Sequence, residues 1–178
     1  LAVSGPNVGT NLDVAIFISG TCGAAKLAAD EAGIPSIAFS GRSGSATAWD
    51  TATPPYSQVY AELSTRFANK LIASGAPYLP PGIWLNVNFP EVDDSCTNPD
   101  DFKFVLSRLF PAVPLITEDD VPLCGSNLLP PERAVVDTSG CYASVSVVAN
   151  GHDTANATMQ KAVLDKLGSD FFSCLPTD

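Results

Sequence analysis

The sequence predicts an α/β fold whose sheet is largely parallel in its first part. Three observations carry this. Apolar strand-like runs alternate with helical runs, the segment from Ile83 to Phe89 keeps a strict two-residue period, and Gly/Asn-rich loops fall where strands hand over to helices. In such sheets the ligand site lies at the carboxyl ends of the strands. A chain of 178 residues suits one domain, residues 1–178, and leaves no room for two independent cores.

Taken in order, Leu1-Ala2-Val3 reads as the end of a buried strand, followed by a loop from Ser4 to Asn11. After a short apolar stretch, Asp13 to Ile18, the residues Ser19-Gly20-Thr21 open an alanine-rich helix that stops at Gly33. Ile34 to Phe39 reads as a buried strand and Gly41 to Ser45 as the loop after it. Val59, Leu63, Phe67 and Leu71 recur every fourth residue, so Tyr56 to Ser74 is an amphipathic helix that should lie on the sheet. In the strand from Ile83 to Phe89, Asn86 and Asn88 share a face and are expected to hydrogen-bond neighbouring loops. Phe102 to Phe110 is a further strand. Residues 111–134, rich in proline and without periodicity, read as an extended loop or arm. Cys141 to Val148 is the last strand, and Asp153 is expected to cap a final helix bearing Met159, Val163, Leu164 and Leu167.

Nineteen acidic residues against nine basic ones give a formal charge of −10, which repels nucleic-acid backbones and anionic lipid surfaces. The partners expected are therefore neither polynucleotide nor membrane. With 46% hydrophobic and 16% charged residues there is ample material for a core. Five scattered cysteines without a C-x-x-C pair fit structural disulfides and an oxidising, extracellular compartment better than metal binding. The sequon at Asn156-Ala157-Thr158 points the same way. Pairing is expected between Cys96 and Cys124 and between Cys141 and Cys174, with Cys22 left in its helix. The acidic pairs Asp93-Asp94, Asp100-Asp101 and Asp119-Asp120 read as solvated surface, and the single histidine, His152, as a surface residue beside a helix cap.

The loop from Ser4 to Asn11 has the composition of a ligand loop. Gly5 and Gly9 let backbone come close to a ligand, and Asn7 and Asn11 offer carboxamides that can meet a hard cation or a phosphate. Ser19, Gly20 and Thr21 bring unpaired N–H groups and a favourable dipole, the ingredients of an anion cradle. The same residues are also ordinary turn and cap formers, so residue type alone leaves both readings open.

SGPNVGTN, then SGTCGAA, then GIPSIAFSG and the later LNVNFP, in that order, resemble the SurE family of survival-protein phosphatases. SGCYASVSVV and the late Cys-Leu-Pro are similar to its secreted fungal branch of acid phosphatases. The resemblance implies a three-layer α/β/α sandwich, Rossmann-like in organisation and forming dimers or tetramers. It implies hydrolysis of nucleoside monophosphates or other phosphate esters with a divalent metal, Mg, Mn or Ca. The family holds its metal with two adjacent aspartates of an NDDG motif, a serine, and the first Asn of SGxNxG, and only the last has a counterpart here, Asn7. Gly9, Asn11, Ser19, Gly20 and Thr21 are the corresponding phosphate-binding candidates. No NDDG occurs in the sequence, so the catalytic aspartates are expected in a segment of roughly one hundred residues upstream of residue 1. The alternative expectation is a non-catalytic binding or assembly module.

Overall fold

The computed structural model describes residues 1–176. Five strands form one mixed sheet in the order β1-β2-β3-β5-β4: β1 (Ala2–Val8), β2 (Ser36–Gly41), β3 (Trp84–Phe89), β5 (Tyr142–Ala149) and β4 (Lys103–Ser107). The short β6 (Asp153–Thr154) pairs with β5. Strands β1, β2 and β3 are parallel, whereas β5 runs antiparallel to β3 and parallel to β4. The parallel first part matches the sequence reading.

Alternation along β2, β3 and β5 gives the sheet two unlike faces. Ile37, Phe39, Leu85, Val87, Phe89, Val145 and Val147 point to one face, where α2 (Pro55–Ala73) and α4 (Ala157–Leu167) cover them. Helix α2 buries the stripe read from its period: Val59, Leu63, Phe67 and Leu71 are all in this core. The other face carries Ala38, Trp84 and Val148, packed against α1 (Gly20–Asp30) through Cys22, Ala25 and Ala29. The same face also buries Ser40, Asn86, Asn88, Ser107, Ser144 and Ser146. Helix α3 (Glu132–Asp137) lies over this polar part. The result is an α/β/α sandwich in which one interface is apolar and the other is half polar. No helix among the described residues is long and apolar enough to cross a membrane.

The structure corrects several expectations. Strand β1 does not end at Val3. It continues to Val8 through an irregularity between Ser4 and Asn7, so the Gly/Asn segment is itself strand. Gly5 makes this possible: it sits at φ +96°, and a Cβ there would collide with the carbonyl oxygen of Phe39 on β2. Residues 13–17 form a 3-10 turn. The cap of α4 is Asn156, whose Oδ1 accepts from the N–H of Met159 at 3.0 Å, while Asp153 belongs to β6. The Pro-rich stretch is irregular only to Pro131, because α3 begins at Glu132.

Disulfides join Cys96 to Cys141 and Cys124 to Cys174, so the expected pairing of Cys96 with Cys124 and Cys141 with Cys174 is wrong. The reason lies in the sheet. Lys103 N–H bonds Cys141 C=O at 2.8 Å as β4 and β5 align, which brings the start of β5 beside the loop before β4. Asp120 is buried rather than solvated: it accepts from Arg108, from the N–H of Leu129 and from Gln160. This knot fastens part of the 111–131 stretch to α4.

Candidate functional site

The segment after β1 and the start of α1 are joined at the sheet by Asn86 of β3, whose Nδ2 bonds the Asn11 carbonyl and whose Oδ1 accepts from the Cys22 thiol. Gly9, just past β1, donates its N–H to the carbonyl of Gly41 at the end of β2 at 2.8 Å. Asn7 is half-buried and turns its Nδ2 onto the carbonyl of Gly9 at 2.9 Å. That bond fixes the amide and leaves Oδ1, the atom a cation would use, free of protein donors among the described residues.

Asn11 has a different role from the one its type suggests. It is buried, with its N–H on Asn88 Oδ1 at 2.8 Å, its C=O receiving Asn86 Nδ2 at 3.1 Å, and its own Nδ2 on Ser40 Oγ. Its N–H, C=O and Nδ2 brace the loop against β2 and β3, while its Oδ1 has no protein donor among the described residues. The two asparagines of β3 thus do bond a neighbouring loop, and that loop is the one carrying Asn7 and Gly9.

Ser19 is the N-cap of α1: its Oγ accepts from the N–H of Cys22 at 3.1 Å, and its C=O from Gly23 at 2.9 Å. The N–H groups of Gly20 and Thr21 remain without protein acceptors, as in the first turn of any helix. A Cβ at Gly20 would meet nothing within 4 Å, so its side-chain position is not crowded. Two directed N–H groups at a helix start, with the dipole behind them, suit an anion. The Ser19 hydroxyl, in contrast, is occupied as a cap. Ser19→Ala is expected to cost about 1 kcal/mol of stability, read from the midpoint of denaturant unfolding.

Two features escape a reading of the sequence. The first is an ionic chain at the rim. Arg42, next after β2, pairs with Asp137 at 2.6 Å, Asp137 lies 4.0 Å from Arg133, and Arg133 reaches Asp13 at 2.5 Å. These pairs are exposed and contribute little stability, and each of the two guanidinium groups is matched by an aspartate. The Gly-Arg-Ser step directly after a strand was the available signal. The second is Glu132, 1% exposed, whose Oε1 accepts from Asn86 Nδ2 at 2.8 Å. Burial pushes its carboxyl up from 4.5 to about 8, against the lowering pull of Ser146 and Asn86. Burial likewise raises the Cys22 thiol to about 11, so that cysteine is a thiol donor to Asn86 Oδ1 and not a nucleophile.

His152 lies elsewhere. Its ring packs on Phe17 at 5.0 Å and on Trp84 at 6.2 Å, where β3 begins, and burial lowers its pKa. Among the described residues no group of three His, Cys, Asp or Glu side chains gathers to hold a metal. Asn7 therefore fits one position of a hard-cation site, while a full ligand set is not built by these residues.

The molecule is an α/β sandwich of the class in which ligands, where they bind, bind at the carboxyl ends of the parallel strands. The comparisons narrow the class. The family model described as Survival protein SurE matches residues 1–107, and the chain belongs to the SurE family. An acid phosphatase of Yarrowia lipolytica is 34% identical over 190 residues, covering 91% of this chain and 52% of that protein. A 5'-nucleotidase SurE of Desulfatibacillum aliphaticivorans is 40% identical over 93 residues, covering 52% of this chain and 32% of its own length. The chain thus spans about half the length of the first of these relatives and about a third of the second. In fold, it resembles the SurE protein of Aquifex aeolicus, with a TM-score of 0.52 at 21% identity over 92% of this chain and 63% of the other.

Proposed function

We propose that the chain is part of a metal-dependent phosphomonoesterase of acid-phosphatase or 5'-nucleotidase type, acting on nucleoside monophosphates or other small phosphate esters. The observation that carries this is the link made by Asn86, which bonds the segment following Asn7 at the Asn11 carbonyl and the first turn of α1 at Cys22, where the N–H groups of Gly20 and Thr21 have no acceptor among the described residues. The names of the two relatives support the reaction class.

In this reading Gly20 and Thr21 receive phosphate oxygens on their N–H groups. Gly9 lets the ligand approach the backbone, Asn11 holds the loop still, and Asn7 Oδ1 is one ligand of a Mg, Mn or Ca ion. Such an ion polarises the phosphoryl oxygen and activates water when bound. Its carboxylate ligands, the catalytic aspartates, come from residues outside the 178. We place the protein outside the cell, since four of its five cysteines are paired, and as a homodimer or tetramer. Asn156 is exposed and caps α4 through Oδ1, which leaves Nδ2 available to a glycan.

The test is hydrolysis of p-nitrophenyl phosphate and of nucleoside monophosphates by the natively isolated protein, with and without chelator. Turnover that chelator abolishes and added metal restores is the expected result. Phosphate binding with no turnover under any metal would replace this reading with that of a non-catalytic module.

A further inference from the structure

Glu132 is an acidic side chain placed where an acid has little support. Its Oε1 accepts from Asn86 Nδ2, and its Oε2 is buried with no hydrogen bond of ordinary length among the described residues. No cation pairs with it among the described residues. The charged groups around it do not help. Asp13 in the 3-10 turn opposes ionisation, Cys22 on α1 is a neutral thiol, and Arg133 on its own helix is turned to Asp13 and Asp137. Arg108, whose C=O accepts the Glu132 N–H, is paired with Asp120. Ser146 of β5, itself bonded to Ser107, and Asn86 of β3 complete the surroundings with neutral dipoles. An ionised carboxylate here would be buried with only the neutral dipoles of Ser146 and Asn86 beside it and no counter-ion, which is costly.

The group is also one link from the proposed ligand loop. Asn86 Nδ2 has two protons: one goes to Glu132 and the other to the carbonyl of Asn11. Asn86 Oδ1 accepts from Cys22 at 3.5 Å, in the first turn of α1. One amide therefore ties together the loop after β1, the helix start and Glu132, and its orientation is set by the acceptors Glu132 Oε1 and Asn11 C=O on one side and the Cys22 thiol on the other.

We propose that Glu132 is a positioning residue for the anion site: its Oε1 orients Asn86 and through it the Asn11 loop and the start of α1, and because its carboxyl is buried without a counter-ion the arrangement is undisturbed only while that carboxyl is uncharged, so that the site binds phosphate best in acid. This deepens the phosphatase reading and rests on it. Ionisation would put a negative charge beneath an anion site and draw water to a buried carboxylate, loosening α3 from the sheet.

The test uses full-length protein, inorganic phosphate as probe, and the variants Glu132→Gln and Glu132→Ala. Glutamine keeps an acceptor oxygen and cannot ionise. Between about pH 6 and about pH 9, wild-type affinity is expected to fall by about tenfold more than that of E132Q, in which only the titration of phosphate itself remains. E132Q should match wild type at the acid end, and E132A should bind more weakly throughout. Infrared difference spectra should show a protonated carboxyl band at the acid end in wild type that E132Q lacks. Identical pH dependence in wild type and E132Q, equal weakness of E132Q and E132A in acid, or absence of the infrared band would each overturn the proposal. Should E132A fail to fold, the comparison with E132Q and the infrared band decide. Hydrolysis of p-nitrophenyl phosphate is followed in parallel. Normal hydrolysis with no difference between wild type and E132Q sinks the positioning role alone, and absence of both hydrolysis and phosphate binding in wild type sinks the phosphatase reading with it.

Discussion

Replacing Asn7 with alanine in the full-length protein is expected to lower phosphate-ester turnover by about a hundredfold and to shift the metal concentration needed for half-activity upward, with the fold intact. The expectation comes from how the side chain is held. Nδ2 is anchored on the Gly9 carbonyl, so Oδ1 is presented at a fixed position rather than swinging in solvent. Alanine removes that oxygen and one loop hydrogen bond, a loss of about 1 kcal/mol in stability, while Asn11, Asn86 and Asn88 keep the loop in place. The measurement is a metal titration of p-nitrophenyl phosphate hydrolysis beside a thermal melt. Unchanged metal dependence would remove Asn7 from the ligand set, and a collapsed melting temperature would make it a structural residue instead.

The second large effect concerns the crosslinks. Serine at Cys141 or at Cys174 opens a ring of 45 or 50 residues, and each change is expected to cost about 4 kcal/mol in the chain-entropy account. For a domain of this size that lowers the melting temperature on the order of 10 °C. The choice of partner is tested directly by peptide mapping without reduction, where peptides linking Cys96 to Cys141 and Cys124 to Cys174 are expected. Recovery of Cys96 linked to Cys124 would show that the native connectivity differs from this structure. Cys22, buried at the start of α1, should resist alkylation until the protein is unfolded.

Glu132 also gives stability a pH dependence with a definite sign. A carboxyl raised from 4.5 to about 8 by burial contributes its full share below about 4.5, where folded and unfolded chains both hold the proton. That contribution is lost as pH rises toward 8, because the unfolded chain releases the proton first. Wild-type melting temperature should therefore fall across that window, and E132Q should show a flatter profile. A wild-type curve no steeper than that of E132Q would contradict the buried, protonated carboxyl.

What the sequence made legible was periodicity and local chemistry. Val59, Leu63, Phe67 and Leu71 could only be one face of a helix, and the alternation from Ile83 to Phe89 could only be a strand, so α2 and β3 were readable to within a residue or two. The helix start at Ser19 was readable because a Ser-Gly-Thr step before an alanine-rich run is a cap signal. What was not legible depends on partners distant in the chain. Ser4 to Val8 has loop composition, and it is a strand only because β2 lies alongside and Gly5 admits the Phe39 carbonyl. Asp120 looks like a solvated pair with Asp119 until Arg108 and Gln160 are brought to it. Glu132 follows two prolines at the end of an irregular stretch, and nothing local says that its carboxyl will meet Asn86, 46 residues away.

The two disulfides overlap along the chain, since the segment from Cys124 to Cys141 belongs to both rings. Topologically, any single backbone cut between Cys96 and Cys174 leaves the two pieces in one covalent molecule. The most exposed apolar stretch, with Leu115 and Ile116 on the surface, falls inside the ring closed by Cys96 and Cys141. A protease that reaches those residues would nick the protein without dismembering it, and the damage would show as two fragments on a gel only after reduction.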